Sequence, residues 1–315
     1  MRKLALRDEI LLQIDKAARY IGGEVNAVMK NKDDVDIRFA MAFPDVYEIG
    51  MSNLGMMILY NMFNQREDVW CERLFSPWPD LDKVMREKKI PLFALESQEP
   101  IRDFDFLGIT IGYEMCYTNI LQVLDLSGIP LKSADRGEDF PIVIGGGACA
   151  YNPEPLAPFF DMFYIGEGET VYDALFDAYK ANKKAGGSRK DFLLAAAKIP
   201  GIYVPSLYEV TYKEDGTIAS FAPTADGVPE KVQKQLIIDM EKEYRAVEAP
   251  VVPHIKATQD RVTLEIQRGC IRGCRFCQAG MIYRPTRERD VETLKESART
   301  MLKNTGHEEI SLSSL

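Results

Sequence analysis

Three stretches of this chain, 37–43, 106–112 and 141–147, are mostly apolar, and residues with helical spacing follow the first two. Apolar runs of this length suit strands covered on both faces, because a strand with one wet face alternates instead. Shorter apolar runs at 92–95 and 160–165 continue the series, with helices predicted over 51–63, 79–88, 118–127 and 170–181. Strand and helix in regular turn dictate an α/β fold: a doubly wound parallel sheet with helices on both faces. The ligand edge of such a sheet is at the carboxyl ends of its strands, so the loops after Phe43, Gly112 and Ile144 are where chemistry is expected.

The rest of the chain reads differently. Leu4, Leu11, Leu12, Ile14, Ala17 and Ala18 form a helical stripe that predicts an N-terminal helix ending at Gly22-Gly23. Residues 182–190, rich in Lys, Gly and Ser, read as a linker or exposed loop that marks a boundary. Residues 208–221 surround Asp215-Gly216 with alternating β-formers, a hairpin signature, and a proline-bounded crossing runs over 228–253. A strand at 261–267, a helix at 290–303 opened by the N-cap Asp290, and a strand at 309–315 make one βαβ unit. The expected division is a lead-in at 1–36, the doubly wound domain at 37–181, a connector with the hairpin at 182–255, and the start of a barrel-type domain at 256–315. A closed barrel takes many more strands, so the chain is expected to be the N-terminal portion of a longer enzyme.

Cys270, Cys274 and Cys277 follow the strand at 261–267 in C-x-x-x-C-x-x-C spacing. Soft thiolate donors on one short loop suit three corners of an iron-sulfur cube. An electron-carrying cluster normally takes four cysteines, so a loop with three leaves one iron open to a small molecule. A closed zinc site needs a fourth ligand and usually two paired spacings, and Cys71, Cys116 and Cys149 offer no such spacing. Those three read as small buried hydrophobes.

Six cysteines in 315 residues are no disulfide framework, and thiolate ligands need a reducing compartment, so a cytoplasmic location is expected. Arg7-Asp8-Glu9 interrupts any leader core, and no later run approaches the ~20 apolar residues of a membrane span. A formal charge of −9 argues against general nucleic-acid binding. The local exception is Arg268, Arg272, Arg275, Arg284, Arg287 and Arg289, a basic rim suited either to an anionic ligand or to ion pairs with Glu288 and Asp290.

The cysteine spacing, with aromatic Phe276 before the third cysteine, resembles the radical S-adenosylmethionine (SAM) superfamily, in which the open iron of a [4Fe-4S] cluster binds SAM. The resemblance implies reductive cleavage of SAM to start radical chemistry, Cys270, Cys274 and Cys277 as cluster ligands, and Phe276 near SAM. It also implies an electron donor such as flavodoxin or ferredoxin. Asp45-Val46-Tyr47-Glu48-Ile49-Gly50 and Ile144-Gly145-Gly146-Gly147 resemble the cobalamin-binding domains that precede many radical SAM cores, over roughly 35–180. That family's D-x-H-x-x-G carries a cobalt-binding histidine, and here Tyr47 stands in its place. Thr110-Ile111-Gly112 falls where S-x-L belongs, and Gly166-Glu167-Gly168-Glu169 matches a G-E-G-E often found after the last strand. The similarity to one uncharacterised family of cobalamin-domain radical SAM proteins spans essentially the whole chain. It implies cobalamin contacts at Asp45, Tyr47, Gly50, Thr110, Gly145 and Gly146, and methyl transfer to an unactivated carbon where cobalamin binds. From the residues alone, the glycines at 145–147 equally suit a tight strand-to-helix turn, and the acids at 167 and 169 a helix cap. A binding scaffold with a vestigial cluster loop and an RNA-modifying enzyme are the alternatives. The substrate is not legible.

Overall fold

The computed structural model describes residues 4–244 and 246–314. Its largest element is a six-stranded sheet of β1 (Ile37–Phe43), β2 (Val69–Phe75), β3 (Phe106–Thr110), β4 (Ile142–Gly146), β5 (Met162–Tyr164) and β6 (Ile202–Tyr203). The spatial order is β2-β1-β3-β4-β5-β6; the first five are parallel, and β6 closes the edge antiparallel to β5. Seven helices accompany it: α1 (Asp8–Leu11), α2 (Tyr47–Gly50), α3 (Leu54–Gln65), α4 (Pro79–Lys88), α5 (Tyr117–Leu126), α6 (Tyr172–Lys184) and α7 (Arg189–Ala196).

Alternate residues of each strand feed two cores, which is what winds the domain twice. Phe39, Met41, Phe106 and Ile144 face α3, α6 and α7, where Phe63, Tyr172, Phe176 and Phe192 meet them. Ala40, Leu107, Ile109 and Val143 face α4 and α5, where Leu81, Met85, Ile120 and Leu124 close the other side. The first core is aromatic: Phe63 stands edge-on to Phe39 at 4.9 Å and to Phe176 at 5.0 Å. Such pairs contribute about 0.5–1.5 kcal/mol beyond the area they bury.

Three expectations are corrected. The N-terminal helix is only α1 plus a 3-10 turn at Ala17–Arg19, because Lys16 takes a left-handed φ of 49°. The Asp15 N–H instead donates to Asp80 at 2.7 Å, and Leu6, Ile10 and Ile14 dock on the second core. Residues 92–95 form no sheet strand; Phe93 makes a single bridge to Pro100. β2 falls at 69–75, where the sequence reading assigns no strand, and Glu72 and Arg73 interrupt its apolar run. Both are buried and paired, Glu72 with Arg38 at 2.7 Å, and Arg73 with Glu24 at 2.9 Å and Glu96 at 2.6 Å. Finally, residues 182–190 hold an exposed turn between α6 and α7, as the loop alternative has it, but mark no boundary: Ser188 and Asp191 make a reciprocal capping box, and the sheet continues to Tyr203.

The hairpin β7 (Tyr208–Tyr212) and β8 (Ile218–Pro223) is present as expected. Beyond it stands a three-stranded sheet of β9 (Val262–Arg268), β10 (Arg287–Glu288) and β11 (Ile310–Ser314), ordered β10-β9-β11. A short helix, α8 (Ala279–Ile282), and the longer α9 (Val291–Thr305) complete the unit. β9, α9 and β11 are the expected parallel βαβ unit, and Asp290 caps α9 by accepting from Glu292 N at 2.9 Å and Thr293 N at 3.0 Å. The outermost positions of the expected terminal elements, 1–3 and 315, lie outside the described residues.

Candidate functional site

A cleft of about 480 Å³ opens at the carboxyl edge of the large sheet and is walled on its far side by the three-stranded unit. That volume is within the range of small-molecule sites. Met41 of β1, Thr110 of β3, Gly146 and Gly147 after β4, and Gly166 to Glu169 after β5 supply the near wall; Glu265, Gln267 and Arg268 of β9 supply the far one. The floor is apolar and aromatic, with Phe39, Phe63, Ile144 and Tyr172. A Cβ at Gly112 would meet nothing within 4 Å, and one at Gly146 only the Tyr172 hydroxyl at 4.0 Å. Side chains at either position would project into the open space, so glycine keeps the edge wide.

Tyr172 is 7% exposed, its ring is packed among Phe39, Phe63 and Phe176, and among the described residues its hydroxyl has no hydrogen-bond partner. Burial pushes its phenol pKa up. The group therefore stays protonated, a donor available to a ligand. Tyr151, also on the cleft, is pushed up to about 12 by burial, then by the charge of Glu167.

Cys270, Cys274 and Cys277 lie on the one loop that leaves β9, as expected. All three are free thiols, Cys274 exposed and the other two half-buried. Cys277 N donates to Cys274 O at 3.1 Å, a turn that brings the second and third cysteines round together. Gly269, with φ of 100°, lets the chain leave the strand, and a Cβ there would lie 2.5 Å from the carbonyl oxygens of Tyr283 and Pro285. Among the described residues no three His, Cys, Asp or Glu side chains are grouped closely enough to hold a metal ion, the three cysteines included. A preformed metal site is rare without its metal, and such sites are commonly drawn together by the metal itself. In number, softness and spacing the donors fit an iron-sulfur cluster.

The G-E-G-E run does something other than cap a helix. Glu167 accepts from Arg287 Nη1 at 2.8 Å and Nη2 at 2.7 Å, pairs with Arg268 at 3.0 Å, and also accepts from Ile237 N at 3.0 Å. Glu169 and Glu265 each pair with Arg268 at 2.8 Å. Burial raises the pKa of Glu167, but the Arg287 hydrogen bonds and the Arg268 charge outweigh it and hold the carboxyl below its usual range.

The expected basic rim divides accordingly. Arg268, Arg287 and Arg289 are buried, the last with its guanidinium over the Tyr244 ring at 4.2 Å. Arg272, Arg275 and Arg284 alone of the six are exposed. Sequence reading missed Glu167, Glu169 and Tyr172 as site residues; two acids between glycines, beside arginines at strand ends, were the available signal.

Of the residues expected at cobalamin, Thr110 and Gly146 border the cleft, whereas Asp45, Tyr47, Gly50 and Gly145 do not. Tyr47 is 1% exposed, stands edge-on to Phe75 at 5.3 Å, donates to Glu24 at 3.0 Å and accepts from His254 N at 3.3 Å. A tyrosine with both roles of its hydroxyl filled is an anchor for the chain crossing, not a cleft residue. Gly50 is small for packing, since a Cβ would come within 2.2 Å of the Phe75 ring, and Gly145 likewise sits 2.8 Å from Phe163. Asp45 accepts from Val46 N at 2.7 Å and from the Tyr113 hydroxyl. Phe276 is 91% exposed on the cysteine loop. Cys71, Cys116 and Cys149 are buried, as expected. Among the described residues no helix is long and apolar enough to cross a membrane.

An uncharacterised protein of Methanocaldococcus jannaschii, MJ0966, is 25% identical over 256 residues, which is 81% of this chain and 44% of the relative. The chain thus spans under half the length of that relative. Two structures of the radical SAM methyltransferase TsrM from Kitasatospora setae align with a TM-score of 0.45 each. One, with tryptophan substrate and a SAM analog bound, is 14% identical and aligns over 88% of this chain and 47% of TsrM. The other, with cobalamin and a [4Fe-4S] cluster bound, is 13% identical and aligns over 89% of this chain and 49% of TsrM. Residues 55–205, from the start of α3 through β6, match the family described as radical SAM proteins, N-terminal.

Proposed function

We propose that this chain is the cofactor-binding part of a radical SAM enzyme, with Cys270, Cys274 and Cys277 holding a [4Fe-4S] cluster beside the cleft. One observation carries the reading: the ligand edge of the doubly wound sheet and the strand that delivers the cysteine loop border the same cleft. A cluster with three protein ligands supplies an open iron and a low-potential electron for reductive cleavage of SAM. The chain's own residues would do the rest. The apolar floor excludes water, the glycine edge admits a broad ligand, and Tyr172 donates one hydrogen bond to it.

We assign the cleft to cobalamin as second cofactor, with methyl transfer as the outcome and the substrate unspecified. Such a cofactor would take no imidazole from this chain. Its two histidines are His254, whose Nε2 is 3.1 Å from Gly22 O, and His307, and neither borders the cleft. A cytoplasmic setting and a flavodoxin- or ferredoxin-type electron donor go with this reading.

Anaerobic reconstitution of the protein with iron and sulfide tests it. The expected product is brown, holds about four irons per chain, and gives a reduced paramagnetic signal that changes when SAM is added. Hydroxocobalamin should be retained through gel filtration, and the Co(II) spectrum should lack nitrogen splitting from protein. A colourless product that retains neither iron nor cobalamin would replace this reading with a binding scaffold.

A further inference from the structure

Arg268 and Arg287 are direct register partners in the antiparallel pair of β9 and β10. Residues 269–286, which include all three cysteines, are therefore a closed loop whose two feet are these arginines. Both guanidiniums reach across to one carboxylate, Glu167, on the opposite sheet. The four side chains Glu167, Glu169, Arg268 and Arg287 are each less than a tenth exposed, so the pairing is shielded from salt and water. Backbone reinforces it: Glu167 N donates to Gln235 O at 2.9 Å, and Gly166 bridges to Gln235, leaving no room for a Cβ.

Ion pairs between two packed units are ordinarily only adhesive. Here one acid holds both ends of the same functional loop, and Glu167 and Arg268 also form part of the cleft wall. Resting on the reading that this loop holds the cluster, we propose that Glu167 is a positioning residue: it fixes where the cysteine loop stands relative to the cleft. A ligand filling the cleft lies against the same pair, so its arrival and the placement of the loop are coupled through Glu167.

Glu167→Gln, which removes the charge but little volume, tests this, with Glu296→Gln as control. Glu296 pairs with Arg299 at 3.4 Å on the exposed face of α9. In hydrogen exchange of the chain as purified, Glu167→Gln should speed exchange across 266–289 at least tenfold, leave 37–43 and 106–110 unchanged, and be unmatched by the control. After reconstitution, the variant should keep its iron, while the signal of its reduced cluster changes shape and its response to SAM weakens. Glu167→Asp, which keeps the charge, should recover part of that response. Unchanged exchange at 266–289 would overturn the clamp. Faster exchange with an unaltered cluster signal and SAM response would overturn the positioning role and leave adhesion alone. If the wild-type protein takes up no iron, the cluster reading fails instead, and the exchange result by itself decides whether Glu167 holds the loop.

Discussion

The six-stranded and three-stranded sheets of this protein are covered very differently. β1 and β2 are buried at every one of their seven positions, with a helical layer on each face of the large sheet. In the smaller sheet β9 is only partly buried, β11 alternates between half-buried and exposed, and the shared core is Val262, Leu264 and Met301 with a few neighbours from α9. The first sheet is a scaffold held by its own packing, while the second is held by α9 and by charge pairs to the first. The proposed site lies where the less buried unit meets the more buried one, as expected when binding elements are drawn from the less stable parts of a fold.

The sharpest way to break this contrast is chemical. Cys274→Ala should reduce retained iron from about four per chain to less than one while far-UV circular dichroism stays native, since the residue is exposed and lends nothing to packing. Loss of the large sheet's signal in that variant would mean that the two units fold as one. Next in size is a pair of core truncations. Phe176→Ala, at a fully buried site in the aromatic core, should cost about 3–5 kcal/mol in urea unfolding. Leu312→Ala, 67% exposed on β11, should cost under about 0.5 kcal/mol. Equal costs would erase the distinction.

Smaller effects sharpen it. Tyr172→Phe should weaken hydroxocobalamin retention about tenfold, the worth of one hydrogen bond to a buried partner, with little change in unfolding midpoint. Glu48 offers a pH test confined to the strong unit. Burial raises its pKa, but hydrogen bonds from Arg19 and Lys16 outweigh that and bring it down from the ordinary 4.5 to about 2. Its stabilisation is present above the unfolded value and is lost as pH falls through the folded one. Glu48→Gln should therefore flatten stability against pH between about 4.5 and about 2, by about 1–2 kcal/mol, in a urea series across that range.

Much of the large sheet was legible because its inner strands are apolar on both faces, as Phe106 to Thr110 and Ile142 to Gly146 show. β2 was not, because Glu72 and Arg73 read as surface residues until Arg38, Glu24 and Glu96 are seen around them. The cysteine loop was legible from spacing alone, since three ligands on one turn are a local property. Tyr47 was misplaced for the opposite reason: its neighbours Glu24, Phe75 and His254 come from three distant segments. Tyr172 gave no signal at all, being one aromatic in a helical stripe until the cleft places its hydroxyl.

The shared carboxylate of Glu167 has an evolutionary corollary. One acid bridges two arginines on neighbouring strands, so a change at any of the three positions alters the pairing at the other two. Homologous chains should keep Glu167, Arg268 and Arg287 as a set or lose them as a set. A lineage that replaces the acid should replace both bases, or acquire a second acid nearby to serve them.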